Sequence, residues 1–356
     1  MGRINSGHTL VEAVSLKLNQ ADISSKTVRK LAEKIVEVRN CGTAKLAIET
    51  LGEALRRVDS IKNTPAQEKM QKMLLHNYAG AASTFAVELL KSNKQPGDLL
   101  SLSDDRLMSS MINAEKDLHP GIELKMFRSV DQLSQFVMTK TGPYQGQAVV
   151  KMARYDEPNE SHFAAVDIRI NSRGSRYMVV YESGFLQKNK EAGVDHGFAS
   201  LVAGVRFQSE RLNLAIPKVG FVEVGSQKSP SDCGIFALNT AIQNFKSPEV
   251  TEWLLGEMDA GGQVMTRFYD ESVSRYIMSK DKKFGVTLPP RFHKHDHSIS
   301  TLKKMDAGSV NKRNESVSQR ASHFKVERDE LVYSNSIEYK RHDYYQHVVE
   351  RLKNNT

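Results

Sequence analysis

Between about Ser24 and Leu90 the apolar residues return every three or four positions: Val28, Leu31, Ile35 and Val38 form one series, and Leu46, Ile48, Leu51 and Leu55 the next. Residues so spaced share one face of an α-helix, so the pattern predicts a helical segment over 23–100. "NKQPGDLLSLSDD" (93–105) breaks it with Pro-Gly, and Ser103 or Asp104 is placed to cap a helix through Leu107, Met111 and Ile112. The period then changes. "QAVVKMARY", "HFAAVDIRI", "RYMVVYESG" and "IPKVGFVEVG" are short, β-branched and partly alternating, which predicts strands of a central sheet. "GSQKSPSDCGIFALNTAIQNF" (225–245) follows the last of them and turns helical, with an apolar stripe at Ile235, Leu238, Ile242 and Phe245. Further helices are expected over Val250–Met258, Arg267–Met278 and 336–352. The polar, charged stretch 303–330, poor in large apolar groups, reads as a long mobile loop. Helices flanking a central sheet make the fold class α+β, with residues 1–22 a flexible N-terminus.

A chain of 356 residues is long enough to bury a core without cross-links. Nothing in it approaches the roughly 18 to 20 consecutive apolar residues of a membrane span, and the N-terminus lacks the apolar region of a secretory signal. The 2 cysteines, far apart, make no disulfide framework, so Cys233 is expected to stay a thiol in a reducing compartment. The net charge of +8 favours an anionic partner but does not choose among nucleic acid, membrane and phosphorylated small molecule. "MGRINS" fits the pattern for lipidation of Gly2, with Arg3 and Lys17 close enough to assist at an acidic surface.

Most isolated cysteines are simply buried small residues. Cys233, however, falls at a strand-to-helix junction, where free backbone N–H groups and the helix dipole stabilise a thiolate. A nucleophile needs a base, and the base an orienting carboxylate. His162 opens one strand and Glu182 ends the next, with "NSRGS" between them. Folding that pair as an antiparallel hairpin near Ser172 or Arg173 brings 162 and 182 close, their even separation being compatible with one face. Asp167 has the wrong parity and lies mid-strand. Gln227, six residues before Cys233, is placed to return its amide over the helix N-terminus as an oxyanion donor. His293, His295 and His297 alternate in "FHKHDHS", but without further ligands nearby in sequence no metal site is expected.

His in "SHFAAVDIR", an acid about twenty positions on in "VVYESG", then "SQKSPSDCGIFAL" resembles the YopJ family of bacterial type III secreted effectors. The likeness runs from about Met111 to Phe245 and returns at "LPPRFHKHDHS" (288–298) and more weakly at "SIEYKR" (336–341). The resemblance implies a catalytic fold shared with ubiquitin-like-protein proteases, a central mixed sheet over 101–265. It also implies a helical regulatory module built from both chain ends (23–100 and 266–356). It implies an acetyltransferase that takes acetyl from acetyl-CoA on Cys233 and passes it to Ser, Thr or Lys of host proteins and to itself. By position, Cys233 is nucleophile, His162 base, Glu182 its orienter and Gln227 an oxyanion donor. Lys228 and Asn239 match acetyl-CoA contacts, and Lys294 matches a self-acetylated lysine. Pro230 departs from the aromatic residue some members carry there. The family's activator, inositol hexakisphosphate, demands clustered cations; Lys282, Lys283, Lys340 and Arg341 are the candidates. The resemblance further implies secretion into a host cell, with Gly2 lipidation carrying the chain to the plasma membrane, and no nucleic-acid partner.

Two other readings use the same residues. A cysteine protease of ubiquitin-like conjugates has the same triad with water as acceptor. A non-catalytic module for inositol phosphate or acidic lipid would leave Cys233 structural and the His162, Glu182, Gln227 and Cys233 agreement without an explanation.

Overall fold

The computed structural model describes residues 25–40, 42–59, 65–92, 94–153, 161–184, 198–229, 231–259, 275–279, 288–298, 311, 314–328 and 330–354. Gly2, Pro230, Lys282, Lys283, the N-terminal 1–22 and the expected helical residues 267–274 lie outside them. The chain forms two compact units. The first takes in residues 1–94, 113–115 and 338–356, and the second 95–112 and 116–337.

The first unit is helical: α1 (Ser25–Asn40), α2 (Ala44–Asp59), α3 (Pro65–Leu90) and most of the terminal helix α10 (Ser336–Asn354). In α2 the predicted stripe buries Ile48, Leu51 and Leu55, joined by Ala47, Ala54 and Val58, whereas Leu46 is exposed. Ser83 of α3 ties to α10 through His342 Nδ1 (2.7 Å) and Gln346 Nε2 (2.7 Å). Helices from both chain ends thus share one core. The described residues 288–298, 311, 314–328 and 330–337 fall in the second unit.

The second unit begins with α4 (Asp98–Leu118). It starts five residues earlier than the predicted cap: Ser103 and Asp104 are buried inside the helix, and the Ser103 hydroxyl donates to the Leu99 carbonyl at 2.8 Å. A serine that returns its hydroxyl to the preceding turn is tolerated mid-helix. There follow β1 (Leu124–Phe127), α5 (Val130–Thr139), β2 (Tyr144–Ala153), β3 (Ser161–Ile170), β4 (Arg176–Glu182), α6 (Phe198–Leu212) and β5 (Lys218–Glu223). Then come α7 (Cys233–Lys246), α8 (Pro248–Asp259) and β6 (Arg275–Ser279), a strand where the periodicity predicted the end of a helix.

Strands β1 to β6 make one six-stranded sheet in sequence order. β2–β3–β4 are antiparallel, while β1 on β2 and β4–β5–β6 are parallel, so the sheet is mixed. The β3–β4 turn is local chemistry: the Asn171 carboxamide oxygen accepts from the N–H of Arg173 (3.0 Å) and Ser175 (2.9 Å), and Gly174 takes φ 83°. One sheet face buries Val150, Val166, Ile168 and Val180 against Leu133 of α5 and Leu201 of α6. Helix α7 packs on β2 and β3. It is buried nearly all round, Phe236, Asn239 and Thr240 included, rather than along the predicted stripe, as befits a helix inside the core.

The described part of 303–330 contains regular structure. Ser316 and Gln319 form a reciprocal capping box that starts α9 (Val317–His323), and β7 (Lys325–Arg328) pairs with β8 (Leu331–Ser334). The short helix buries only Val317 and Ala321, too little apolar signal to emerge from the polar composition. Among the described residues no helix is long and apolar enough to cross a membrane.

Candidate active site

β3 starts, and β4 and β5 end, at the same end of the sheet, and the β5–α7 loop leaves from there. In the β3–β4 register Ala165 faces Tyr181, so 162 and 182 sit diagonally, two positions from direct opposition and on one face. His162 Nε2 and Glu182 Oε2 are 2.7 Å apart, both side chains buried. The other carboxylate oxygen, Oε1, accepts the Gly184 N–H at 2.6 Å, which fixes the rotamer. Nε2 being taken, Nδ1 is left for the Cys233 thiol, with which His162 is hydrogen-bonded. Burial alone would lower the imidazole's pKa. The Glu182 charge and the hydrogen bonds to Cys233 and Glu182 outweigh it, and the value is raised to about 10.

Cys233 is buried as the first residue of α7. The loop before it opens at Gly225, whose φ of 62° is one that side chains resist. Gly234 lets the helix start come close: a Cβ there would stand 3.2 Å from Met108 Cε and 3.5 Å from both Asp104 Cβ and Phe163 Cδ2.

Gln227 is locked on three sides. Its N–H donates to the Ser183 carbonyl (2.7 Å), its Oε1 accepts from Ser183 Oγ (2.7 Å), and its Nε2 donates to the Ser229 carbonyl (2.5 Å). One of the two Nε2 hydrogens is therefore spent within the loop. Lys228 holds its side chain exposed, while Asn239 is buried six residues past Cys233. Asp167 belongs elsewhere, as parity required: Gln147 Nε2 (3.1 Å), Thr251 Oγ1 (3.2 Å) and Arg169 Nη1 (2.7 Å) surround it.

The three alternating histidines go to three different partners. His293 Nδ1 meets Asp296 at 3.0 Å, His295 Nδ1 meets Ser336 Oγ at 2.8 Å, and His297 Nδ1 accepts the Lys228 N–H at 3.0 Å. Lys294, between two of them, is half-buried. In the helical unit Lys340 lies over the Tyr344 ring (4.2 Å) and Arg341 is fully buried. Sequence reasoning missed Ser183, Asp232 and His297. Ser183 adjoins Glu182 and Asp232 adjoins Cys233, and the alternating-histidine pattern was itself the signal for His297.

A mixed sheet with a buried cysteine, histidine and glutamate at one end, the cysteine heading a core helix, defines a cysteine-centred α+β protein. The model of the family described as YopJ Serine/Threonine acetyltransferase matches residues 75–347, and the chain belongs to that family. It is 24% identical over 260 residues to the serine/threonine-protein acetyltransferase HopZ1a of Pseudomonas syringae pv. syringae, covering 63% of this chain and 66% of the relative, just under two thirds of its length. A serine/threonine-protein acetyltransferase of Sinorhizobium fredii is 22% identical over 235 residues, 66% of this chain and 77% of the relative. Among solved structures, HopZ1a in complex with IP6 and CoA superposes with a TM-score of 0.61 at 17% identity, covering 87% of this chain and 99% of that one. AvrA with IP6 and CoA gives 0.58 at 18% identity over 78% of this chain and 98% of that one. These likenesses confirm the expected α+β fold.

Proposed function

We propose that this chain is an effector acetyltransferase that carries acetyl on Cys233 from acetyl-CoA to Ser, Thr or Lys of host proteins. One observation carries the reading: His162, raised by Glu182, touches the thiol at the head of α7. The Cys233 thiolate attacks the thioester carbonyl, and the oxyanion is met by the second Nε2 hydrogen of Gln227 and by N–H groups at the helix start. The thioester C–S bond breaks, His162 protonates the departing sulfur, and acetyl remains on Cys233. His162, now neutral, takes the proton of an acceptor hydroxyl or amine as that group attacks; Cys233 leaves as thiolate and the imidazolium is restored. Glu182 holds the ring throughout and balances its charge.

Lys228, exposed and five positions before the nucleophile in the chain, suits the phosphates of CoA, and Asn239 is the second contact. Relatives solved with IP6 and CoA support both ligands here. IP6 would act as activator, with Lys282, Lys283, Lys340 and Arg341 as its cationic contacts and Lys294 as the self-acetylation site. The chain would act inside a host cell, at the plasma membrane where Gly2 is lipidated.

The test incubates purified protein with labelled acetyl-CoA, with and without inositol hexakisphosphate, and reads intact mass and the Lys294 peptide. Label that needs the polyanion and vanishes in Cys233→Ala is expected. Cleavage of a ubiquitin-like fusion without label would make the chain a protease. Wild type and Cys233→Ala behaving alike throughout would make the cysteine structural.

A further inference from the structure

We propose that His297 is a positioning residue for acyl transfer, a clasp that holds both ends of the β5–α7 loop and so aims Gln227 and Cys233 at one reacting carbonyl. It rests on the reading of Cys233 as an acyl acceptor. His297 is buried and lies far along the chain from the loop it grips. Its backbone N–H donates to the Ser226 carbonyl (2.9 Å) and its Nδ1 accepts the Lys228 N–H (3.0 Å), bracketing Gln227 from both sides. A backbone amide only donates, so Nδ1 holds the lone pair and the ring hydrogen sits on Nε2. Nε2 faces Asp232 Oδ2 at 3.4 Å, a charge–dipole contact rather than a full hydrogen bond. That same carboxylate oxygen accepts the Ser229 hydroxyl, and Asp232 directly precedes Cys233.

The ring is itself held. Phe236 of α7 meets it edge-on at 5.1 Å and Tyr333 of β8 at 5.4 Å, while its carbonyl accepts the Ser334 N–H at 3.1 Å. One residue thus joins the loop start through its backbone, and through its imidazole Lys228 within the loop, the residue before the nucleophile, the nucleophile's helix and the β7–β8 hairpin. Asp232 supplies no side-chain cap to α7. Its carboxylate turns instead to Ser229 and His297, as a loop fixed for geometry rather than for helix stability requires.

Two reagents separate aiming from reactivity. Iodoacetamide alkylates a thiolate by direct displacement and needs no oxyanion donor. p-Nitrophenyl acetate transfers acetyl to sulfur through a tetrahedral oxyanion, the ester C–O bond breaking to release p-nitrophenolate. In His297→Leu the p-nitrophenolate burst is expected to slow by about tenfold or more, a small displacement at a reacting centre being costly. Iodoacetamide alkylation of Cys233 should stay within about twofold. His297→Asn, whose Oδ1 replaces the Nδ1 acceptor, should restore the burst to within about threefold of wild type. Equal rates in wild type and His297→Leu, or equal losses with both reagents, overturn the proposal. Should the leucine variant fail to fold, a folded asparagine variant with a slow burst overturns it and one with a near-normal burst upholds it. A wild-type burst no greater than that of Cys233→Ala overturns the acyl-acceptor reading, an outcome separate from any effect of His297.

Discussion

Glu182 holds His162 by Nε2 at 2.7 Å, from two positions off direct opposition across an antiparallel strand pair. The contact helps set the charge of the ring: burial pulls the imidazole down, while the Glu182 charge and the hydrogen bonds to Cys233 and Glu182 raise it from 6.5 to about 10. A base whose value is raised by folding stabilises the fold fully below 6.5 and loses that contribution as pH rises through about 10. In Glu182→Gln burial is left in command and the ring gives up its proton at lower pH. NMR titration of the His162 ring is expected to show that downward move. Acetyl transfer should fall by about 10²-fold or more, the scale of a general acid–base group.

Asp167→Asn provides the contrast. Burial raises this carboxyl to about 6 against 3.8 unfolded, with Arg169 opposing. A raised acid binds its proton more tightly in the fold, so its contribution turns unfavourable as pH climbs from 3.8 to about 6. The asparagine variant should lack that decline in urea unfolding, while acetyl transfer stays within about threefold because no proton passes through this side chain. A loss as large as that of Glu182→Gln would show the wrong carboxylate had been assigned.

Ser183 and Gln227 form a second testable pair, their side chains 2.7 Å apart. Gln227→Ala is expected to slow acetylation of Cys233 by about 10²-fold, as for loss of one oxyanion donor. Ser183→Ala frees only the Gln227 oxygen and should cost less. If Ser183 acts through Gln227, the double variant will be no slower than Gln227→Ala, which rapid-quench mass spectrometry of the acetylated peptide measures.

Gly225 carries φ 62° where the chain leaves β5 for the catalytic loop. Gly225→Ala forces a side chain into the left-handed region and should lower the unfolding free energy by about 1–2 kcal/mol. Gly225→Asn should recover part of it, since asparagine tolerates that region. Denaturant unfolding of both variants decides, with no loss in the alanine variant the contrary result.

The sequence by itself determined the elements whose signals are local. The helical period of α2, the alternation of β2 to β5 and the Asn171 turn each lie within one stretch, and that turn, with parity, was enough to pair His162 with Glu182. Helix α9 and strand β6 were misread because what holds short elements comes from outside them: β6 pairs with β5 far back along the chain, and α9 buries only Val317 and Ala321, so neither leaves a clear period in its own segment. Tertiary structure alone decided what surrounds the nucleophile. Ser183 reaches Gln227 across 44 positions and His297 reaches Lys228 across 69, spacings no periodicity encodes. In the sequence His297 was one of three alternating histidines with a metal-like spacing. Once the chain closes on itself, the fold sends the three rings to three different partners, because a buried imidazole must find a hydrogen-bonding group wherever packing places one.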